Sequence, residues 1–579
     1  MVPRRVPGNE RGDAMNLTEQ EKWVGKANFA DAVNISRREF LGGTVAAGLA
    51  GGAGLGSIYF GYGKSVGDPL RVGVLGTGDE GSVLIGAHNP EYLNVVAIAD
   101  IRPFNVFRAF HGDVSSPSAL SARPGLMAKY QWSTEDAARA KVKVYGAYED
   151  LLADKDVEAV IIALPLHLHA PAAIKAMRAG KHVLTEKLMG HSIHECKEMG
   201  RVARETGKIL ATGHQRHYSV LYDDAVHTIG TARLLGDLHS IRAQWHRGNL
   251  PGKDSWKPPM PDDEKLAKQL AGWQKDLEKA RPGDIDGLRK KIAQLEAQIA
   301  DAAIDAARHG YTEKTIGDGT VRTPLEELIR WRLWDRTGGG LMAELGSHQL
   351  DAAGIFVSAM HGAGKKVKPL TVTAVGNRSL FPADREIDDH VYCMYEYPAP
   401  GYFDDKGEVA DPNKKIVVTY SSINGNGFGG YGEVVMGTKG TLVLEQERDV
   451  MLYKDAYKDT RVTVAKAKDG APTLDTTESG GGGYAAGGGG AAGAPPSRGY
   501  TEEMEHWAWC VRNPAPENQP RCKPEVAIAD AVIALVSNIA LANPGSQPRI
   551  EFDPAWFDIA SDETPEGVKP DVSRAGYAV

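Results

Sequence analysis

The first half of the chain alternates short apolar runs with amphipathic stretches of helical spacing. The apolar runs are rich in Val, Ile, Leu and Ala and carry few polar residues, as expected of strands that are buried on both faces. Strands alternating with helices favour parallel pairing. We therefore predict an α/β domain over 66–216 with a doubly wound parallel sheet, its strands at 70–75, 94–99, 142–145, 159–164, 182–185 and 209–212.

Beyond residue 216 the pattern changes to longer segments in which polar and apolar residues mostly alternate. Alternation is typical of an open, largely antiparallel sheet with one covered face. We predict a C-terminal α+β domain over 217–558, closed by helices at 504–511 and 526–542, with a tail at 559–579. Its strands are expected at 238–245, 371–375, 390–397, 415–422 and 432–445.

Two insertions interrupt the second domain. In the first, over 262–308, apolar residues from Leu266 to Leu277 and from Ile285 to Ile299 follow a heptad on either side of Pro282. This spacing predicts a helical hairpin held by its own apolar seam, whose charged outer faces are solvated or clasp a neighbouring subunit. The second insertion, 479–494, is nearly all Gly and Ala and predicts a flexible surface loop.

Composition narrows the function. The 579 residues carry a net charge of −8 with no basic stripe, which argues against a nucleic-acid partner and favours a small ligand. Four cysteines are too few for a disulfide scaffold, although Cys510 and Cys522 could pair in an oxidising compartment. Neither a CxxC nor an HExxH motif occurs, so we predict no metal site.

The N-terminal leader, 1–65, contains Ser36-Arg37-Arg38-Glu39-Phe40-Leu41, followed by an uncharged Gly- and Ala-rich run over 41–63. It resembles a twin-arginine (Tat) export signal, which implies that the folded protein passes through the Tat translocase to a periplasmic or other extracytoplasmic location. The run is just long enough to span a bilayer, and no clear A-x-A cleavage site follows it. An uncleaved membrane anchor therefore remains an alternative.

A glycine turn follows the first strand directly. Gly76 ends the strand, Gly78 allows the backbone to approach a pyrophosphate, and Gly81 allows the next helix to pack closely. Asp100 closes the second strand, where a carboxylate would bind both ribose hydroxyls and repel a 2′-phosphate. We predict NAD as the cofactor, with NADP the less favoured alternative because Arg102 could contact a phosphate.

Two further segments lie at carboxyl ends of strands, where open α/β sheets bind ligands. They are Leu164-Pro165-Leu166-His167-Leu168-His169 and Thr185-Glu186-Lys187-Leu188. With the glycine turn, they resemble the Gfo/Idh/MocA oxidoreductases, which carry a Pro-rich loop with a His after the fourth strand and Glu-Lys-Pro after the fifth. Here Leu188 replaces the proline, a change that can alter the loop's backbone.

The resemblance continues through the second domain, over roughly 70–557 apart from the insertions. A segment from Gly338 to Asp351 is similar to the family's helix whose acid and His face the substrate, here Glu344 and His348, and a spacing of four places both on one helical face. The resemblance implies that His348 is the general base and that Glu344 orients it or stabilises its imidazolium. Lys187 would stabilise the developing alkoxide.

The predicted site thus contains a catalytic group, a cofactor group and a weaker substrate group. The catalytic residues are Lys187, His348 and Glu344. The cofactor residues are Gly76, Gly78, Gly81, Asp100, Arg102, Leu164, Pro165, His169, Glu186, Lys187 and Gln215. The substrate candidates are His217, Trp331, Arg332 and Trp334.

The resemblance implies an NAD-dependent oxidoreductase that transfers a hydride between a sugar or polyol hydroxyl and a nicotinamide cofactor. Because an exported enzyme meets no free cytoplasmic NAD pool, its cofactor should be tightly bound. The alternative is an exported NAD-dependent glycosidase that oxidises a sugar transiently and eliminates the aglycone. The resemblance also implies a homo-oligomer formed through the open face of the second sheet.

Overall fold

The predicted parallel sheet is confirmed. A computed structural model describes residues 17–44, 57, 60–63, 66–362, 366–454, 463–466, 472–475, 498–542, 549–574 and 577. Its first sheet has six strands in the order β3-β2-β1-β4-β5-β6, and every neighbouring pair is parallel. The strands are β1 Leu70–Leu75, β2 Leu93–Ala99, β3 Lys143–Tyr145, β4 Ala159–Ile162, β5 His182–Glu186 and β6 Leu210–Gly213.

Helices cover both faces of this sheet. Val72 and Val160 in the central strands are fully buried, as the apolar runs required. The chain leaves β1 toward β2 on one side and returns to β4 on the other, so a crevice opens at the carboxyl ends of β1 and β4. The helices are Asp79–Ala87, Pro103–His111, Pro117–Ala122, Gly125–Tyr130, Glu135–Arg139, Tyr148–Leu152, His169–Arg178 and Ile193–Thr206.

The second sheet has eight strands in the order β15-β14-β13-β7-β12-β11-β10-β18. Its strands are antiparallel except for the β7–β12 pair, so the predicted open, mostly antiparallel sheet is confirmed. The strands are β7 Leu238–His246, β10 Thr371–Asn377, β11 His390–Pro398, β12 Lys415–Ile423, β13 Tyr431–Gly437, β14 Gly440–Glu445, β15 Asp449–Lys454 and β18 Arg549–Glu551. Short ribbons pair β8 Lys314–Thr315 with β9 Val321–Arg322, and β16 Thr463–Lys466 with β17 Pro472–Asp475.

The single strand predicted over 432–445 was wrong. The segment forms a hairpin of β13 and β14 that turns at Thr438 and Lys439. Gly437 and Gly440 flank the turn, and a Cβ on Gly437 would lie 2.2 Å from the carbonyl oxygen of Leu235. The close approach of backbone at this point explains the glycine that an alternating pattern alone does not reveal.

One long apolar helix fills the space between the two sheets. Among the described residues, Pro524–Ala542 alone is long and apolar enough to cross a membrane, with a mean hydropathy of 1.8, but 67% of it is buried inside the protein. It packs against the helices Ile193–Thr206 and Ser347–Ala359 and against β10. The remaining α-helices are Glu19–Thr44, Val220–Val226, Glu264–Glu278, Ile285–Ala300, Pro324–Ile329, Asp335–Gly338 and Tyr500–Arg512.

The helix Tyr500–Arg512 returns to the first domain, whereas the sequence pattern had placed it with the second. Met504 and Trp507 are fully buried in the apolar core on one face of the parallel sheet. Arg512 pairs with Glu158 at 2.7 Å, next to β4. Apolar spacing predicts that a helix covers a sheet but not which sheet, and this is why the assignment failed.

The C-terminal segment also packs on the first domain. The Lys197 ammonium in helix Ile193–Thr206 donates to the carbonyl oxygens of Ala555, Ser561 and Glu563 at 2.6 to 3.0 Å. Ile559 is 2% exposed and contacts the same helix at Gly200. Residues 559–574 are therefore part of the folded surface.

The cysteine pairing is not formed. All four cysteines are free and buried. Cys510 lies in the helix Tyr500–Arg512, whereas the backbone of Cys522 receives the Thr212 N–H at 3.1 Å, beside β6. Cys510 and Cys522 thus serve as small core residues.

The first insertion is a helical hairpin, as the heptad predicted. Its apolar residues pack on the first domain as well as on each other. Helix Ile285–Ala300 contacts the first-domain helix Pro103–His111 as extensively as it contacts its partner Glu264–Glu278. Ile292 and Leu295 are buried, at 8% and 4% exposure. The hairpin therefore docks on the nucleotide-binding side of the first domain. The predicted loop 479–494 lies outside the described residues.

The N-terminal helix Glu19–Thr44 packs on the face of the second sheet that the core helices leave open. Leu17 packs there against Val434, Val443 and Met451, from three adjacent strands. Lys22 pairs with Glu445 at 3.1 Å. The twin arginines fall in the C-terminal part of this helix, and most of the 41–63 run that follows lies outside the described residues.

We expect Gly25→Ala to release this helix. A Cβ on Gly25 would lie 2.6 Å from the Cβ of Met451, closer than side-chain carbons approach. Alanine improves helix propensity by about 1 kcal/mol, so a loss of docking can arise only from the collision. Hydrogen exchange over 19–33 and tryptic cleavage at Lys22 and Lys26 should both accelerate.

Gly272→Ala in the hairpin is the matched control, because nothing lies within 4 Å of the added carbon. It should leave exchange over 19–33 unchanged. Unchanged protection of that segment in Gly25→Ala would contradict the docked helix.

Candidate active site

A large cleft lies at the carboxyl ends of the parallel strands, between the two domains. Its volume is about 890 Å³, within the range for small-molecule and cofactor sites. All the predicted cofactor residues line it except Gly81, which packs beneath it. The three predicted catalytic residues also line it.

The glycine turn has the geometry that its sequence predicted. Gly76 has φ of +83°, and a Cβ there would lie 2.5 Å from the carbonyl oxygen of Ala163. A Cβ on Gly81 would lie 2.0 Å from the carbonyl oxygen of Gly76. At Gly78 the nearest atom to such a Cβ is Asn105 Nδ2 at 3.7 Å, so the bare backbone faces the cleft. This cradle fits a pyrophosphate at a helix N-terminus.

Asp100 lies beside that cradle. Its carboxylate accepts the Thr77 N–H at 2.8 Å, the Arg102 N–H at 2.9 Å and the Asn105 amide at 3.1 Å. These bonds fix the orientation of the carboxylate, which borders the cleft where a ribose would lie. Contact of Asp100 with ribose hydroxyls stays a prediction.

Arg102 is already paired. Its Nε donates to Asp301 Oδ2 at 2.8 Å, and Asp301 belongs to the turn that follows the second helix of the hairpin insertion. Asp301 therefore holds the Nε side of the guanidinium, and the alternative in which Arg102 contacts a phosphate stays a prediction. The pairing joins residues far apart in sequence, so no local pattern indicated it.

His169 bridges the two strand-end loops. Its ring nitrogens face the carbonyl oxygens of Leu164 and Leu188, each at 2.8 Å. Burial lowers the pKa of His169, and a neutral ring can donate to only one of these oxygens. The Lys187–Leu188 peptide is cis although residue 188 is not proline. His167 lies outside the cleft, edge-on to Tyr311.

Lys187 and His348 both line the cleft, and the Lys187 charge acts on the His348 ring. The Lys187 ammonium donates to the backbone carbonyl of Glu344 at 2.7 Å. The His348 ring packs on Trp245 with centroids 5.6 Å apart. The backbone carbonyl of His348 receives the Arg216 guanidinium at 2.5 Å, which ties this turn to the second sheet.

Glu344 is not the partner of His348. Met342–Gly346 is a π-helical turn that precedes the α-helix Ser347–Ala359, so the expected single α-helical face is interrupted between the two residues. The Glu344 carboxylate instead receives Arg332 Nε at 2.6 Å. Burial acts to raise the pKa of Glu344, but Arg332 and Lys187 outweigh it and hold the pKa at about 2. Glu344 is thus an ionised anchor for Arg332.

The electrostatics favour a neutral His348. Burial lowers its pKa well below 6.5, and the cations Lys187 and Arg216 lower it further. A neutral imidazole can accept a proton, and nearby cations disfavour keeping it. His348 therefore has the protonation state of a general base.

Two buried polar side chains, Gln215 and Glu186, line the cleft. Gln215 is 1% exposed, and neither its amide oxygen nor its amide nitrogen has a partner among the described residues. Burial and the neighbouring Glu80 raise the pKa of Glu186 well above its usual range. The unpartnered Gln215 amide suits a neutral hydrogen-bonding ligand such as a carboxamide.

Two of the substrate candidates lie elsewhere. Trp334 is fully buried, and Arg322 packs 4.9 Å from its ring, so Trp334 is a core residue. His217 binds Asp351 at 2.8 Å, away from the cleft. Trp331 and Arg332 do line the cleft, with the guanidinium 4.3 Å from the Trp331 ring.

Asp351 belongs to a buried cluster behind the site. Oxygen or nitrogen atoms of His214, Asp351 and Asp530 lie within 4.8 Å of one another, a spacing that metal ligands share. Lys366 already bridges the two carboxylates, at 3.1 Å from Asp351 and 2.9 Å from Asp530. Its ammonium supplies the cation that the carboxylates need.

Sequence reasoning missed a group of cleft residues from the second domain and the insertion. Arg498 and Tyr500 follow the Gly-rich segment, and nothing in the sequence around them indicated that they line the cleft. Trp245 lies one residue before the end of β7, and its aromatic character near a strand end was the one available indication. The missed lining residues are Trp245, Trp256, Gln298, Arg308, His309, Tyr311, Glu447, Arg498 and Tyr500.

Comparisons with known proteins agree with this geometry. Residues 70–214 match the GFO_IDH_MocA family, described as an oxidoreductase family with an NAD-binding Rossmann fold. The dTDP-3,4-didehydro-2,6-dideoxy-alpha-D-glucose 3-reductase of Streptomyces violaceoruber is 31% identical over 159 residues, which are 26% of this chain and 43% of that enzyme. The chain spans less than half of the length of the curated relatives it matches.

Another relative is named as a glycosyl hydrolase and not as an oxidoreductase. A glycosyl hydrolase family 109 protein of Shewanella amazonensis is 36% identical over 138 residues, which are 24% of this chain and 27% of that protein. Among solved structures, the WlbA dehydrogenase of Bordetella pertussis in complex with NADH and UDP-GlcNAcA superposes on 84% of this chain and 99% of that chain. Its TM-score is 0.47 and its identity 14%.

Proposed function

We propose that this chain, whose N-terminal domain matches the NAD-binding Rossmann fold of the GFO_IDH_MocA oxidoreductases, transfers a hydride between a sugar or polyol hydroxyl and a tightly bound nicotinamide dinucleotide. The observation that carries the proposal is that Lys187 and His348 line the same cleft as the glycine turn and Asp100, with the Lys187 charge acting on the His348 ring. NAD is favoured over NADP because Asp100 borders the ribose position.

The residues present fit such a cofactor. The bare backbone at Gly78 would hold the pyrophosphate, and Asp100 the adenosine ribose. The orphaned Gln215 amide lies under the reactive end and suits a carboxamide. When bound, a nicotinamide supplies the hydride acceptor or donor.

The chain's own residues handle the proton and the oxygen. Neutral His348 accepts the proton of the substrate hydroxyl. Lys187, held by the Glu344 carbonyl at 2.7 Å, presents an ammonium that stabilises negative charge on the same oxygen. The like charge of Lys187 also keeps His348 from holding the proton permanently.

A sugar or polyol fits the remaining wall. Trp245 and Trp331 offer aromatic faces that can pack on C–H groups, and Arg332 offers donors for hydroxyl oxygens. Glu344 holds Arg332 in place at 2.6 Å. The named substrate of the Streptomyces relative, a deoxyglucose derivative, supports this class.

A sugar panel monitored at the NADH absorbance band tests the proposal. The purified chain, loaded with NAD, should reduce its nucleotide with one sugar or polyol and not with matched deoxy analogues that lack the reacting hydroxyl. No reduction with any sugar, together with no cleavage of any glycoside, would contradict the proposal.

The second candidate is an NAD-dependent glycosidase, which the glycosyl hydrolase relative favours. Such an enzyme would use the same His348 and Lys187, because it also begins by oxidising a hydroxyl. Release of an aglycone without net change in bound NAD would identify it. Net NADH formation with a free sugar would favour the dehydrogenase.

We also propose Tat export to an extracytoplasmic location, supported by Ser36 to Leu41, with the leader retained. Segments of the leader pack on the folded chain, since Tyr62 donates to Glu505 at 2.5 Å and Lys22 pairs with Glu445. A homo-oligomer through the second sheet is proposed as well. Val375, Tyr392 and Met394 expose about half of their surface on the open face beyond the N-terminal helix.

A further inference from the structure

The hairpin insertion ends against the adenosine side of the cleft. Ile101, between Asp100 and Arg102, packs on an apolar cluster formed by Ala306, Tyr311 and Leu328. Gln298, Arg308, His309 and Tyr311 from this part of the chain line the cleft. The insertion therefore builds a wall beside the residue that would bind the ribose.

The contact is polar as well as apolar. Asp301 is fully buried, and its carboxylate accepts Arg102 Nε at 2.8 Å and the Phe104 N–H at 3.1 Å. Gln294 donates to Asp113 at 3.2 Å and accepts the Val114 N–H at 2.8 Å. These bonds fix the insertion on the loop and helix that follow β2.

Arg102 is the nearest cation to the Asp100 carboxylate in sequence, and it lines the cleft. An arginine at such a place can accommodate a ribose 2′-phosphate. Here the buried carboxylate of Asp301 holds it, and two carboxylates, Asp100 and Asp301, flank the position. A dianionic 2′-phosphate that bound there would have to compete with Asp301 for Arg102, because Asp100 and Asp301 are themselves negatively charged.

We propose that Asp301 is a cofactor-specificity residue. By holding Arg102 it withholds that cation from a 2′-phosphate, so the insertion selects dinucleotides with a free ribose 2′-hydroxyl. This inference rests on the proposed dinucleotide function, and it assigns the hairpin a role in the site instead of a solvated or intersubunit one.

Asp301→Asn tests it, because asparagine keeps the size and can still accept the Phe104 N–H while losing the charge that holds Arg102. The full chain is equilibrated with equal excesses of NAD and NADP and passed through a sizing column, and the released nucleotides are quantified. The bound NADP-to-NAD ratio should rise about tenfold or more, the effect of one charge-assisted contact. Asp301→Asn with Arg102→Ala should lose that gain.

Asp286→Asn is the matched control, since Asp286 lies on the same hairpin with 90% of its side chain exposed. It should not change the ratio. A ratio in Asp301→Asn equal to that of Asp286→Asn would overturn the proposal, as would a gain that persists without Arg102.

Arg102→Ala alone keeps the proposal testable if Asp301→Asn fails to fold. Removing Arg102 leaves the Asp301 carboxylate without its cation, so the NADP-to-NAD ratio should not rise above that of the wild type. A rise in that ratio would overturn the proposal. A wild-type chain that binds neither nucleotide would instead overturn the proposed function.

Discussion

Lys187→Met should lower kcat by about 10²- to 10³-fold, the usual effect of removing one group that stabilises a developing oxyanion. Methionine keeps the apolar stem and removes the ammonium that Glu344 positions. Bound nucleotide should be retained, because the substitution leaves the glycine turn and Asp100 unchanged. The measurement is kcat for sugar oxidation together with nucleotide content.

A second readout separates this role from a structural one. Lys187 depresses the pKa of His348, so its removal should raise that pKa and move the acid limb of the kcat/KM profile to higher pH. Lys141→Met, at an exposed position before β3, is the control and should change neither quantity. A normal kcat in Lys187→Met would exclude the proposed role.

His348→Asn should lower kcat by about 10²- to 10⁴-fold, the range for a lost general base. Asparagine fills much of the space beside Trp245 but cannot accept the proton at neutral pH. Nucleotide binding should again persist. His239→Asn, an exposed histidine on β7, is the matched control.

The wild-type pH profile tests the same residue. A base whose folded pKa lies well below 6.5 stays neutral as the pH falls through 6.5, so kcat/KM should not decline there. Protonation, and with it the loss of activity, should begin only at lower pH. An acid limb centred near pH 6.5 would show that His348 titrates as an exposed histidine does.

Local chemistry made much of the first domain predictable. Gly76, Gly78 and Asp100 are close in sequence and lie around one turn, so their spacing was enough to predict the geometry of that turn. In the same way, the alternation of buried strands and helices was enough to predict the parallel sheet. Lys187 was found because it lies at a strand end, where the fold brings ligand-binding residues together.

Contacts between side chains that are far apart in the chain could not be predicted from the sequence. Glu344 and His348 are four residues apart, yet a π-helical turn and the charge of Arg332 direct the carboxylate away from His348. Trp334 lies close to Trp331 in sequence, but Arg322 from the ribbon of β8 and β9 packs on its ring. Asp301 reaches Arg102 across about two hundred positions of the chain. Only tertiary contacts decide such cases.

The measurement that tests the central claim most directly is the identity and amount of nucleotide released when the purified full-length chain is denatured. The account predicts NAD or NADH, identified by absorbance and mass, at close to one molecule per chain, either as isolated or after incubation with NAD. No nucleotide under either condition would contradict the dinucleotide cleft at Gly76 to Asp100, and with it the proposed oxidoreductase.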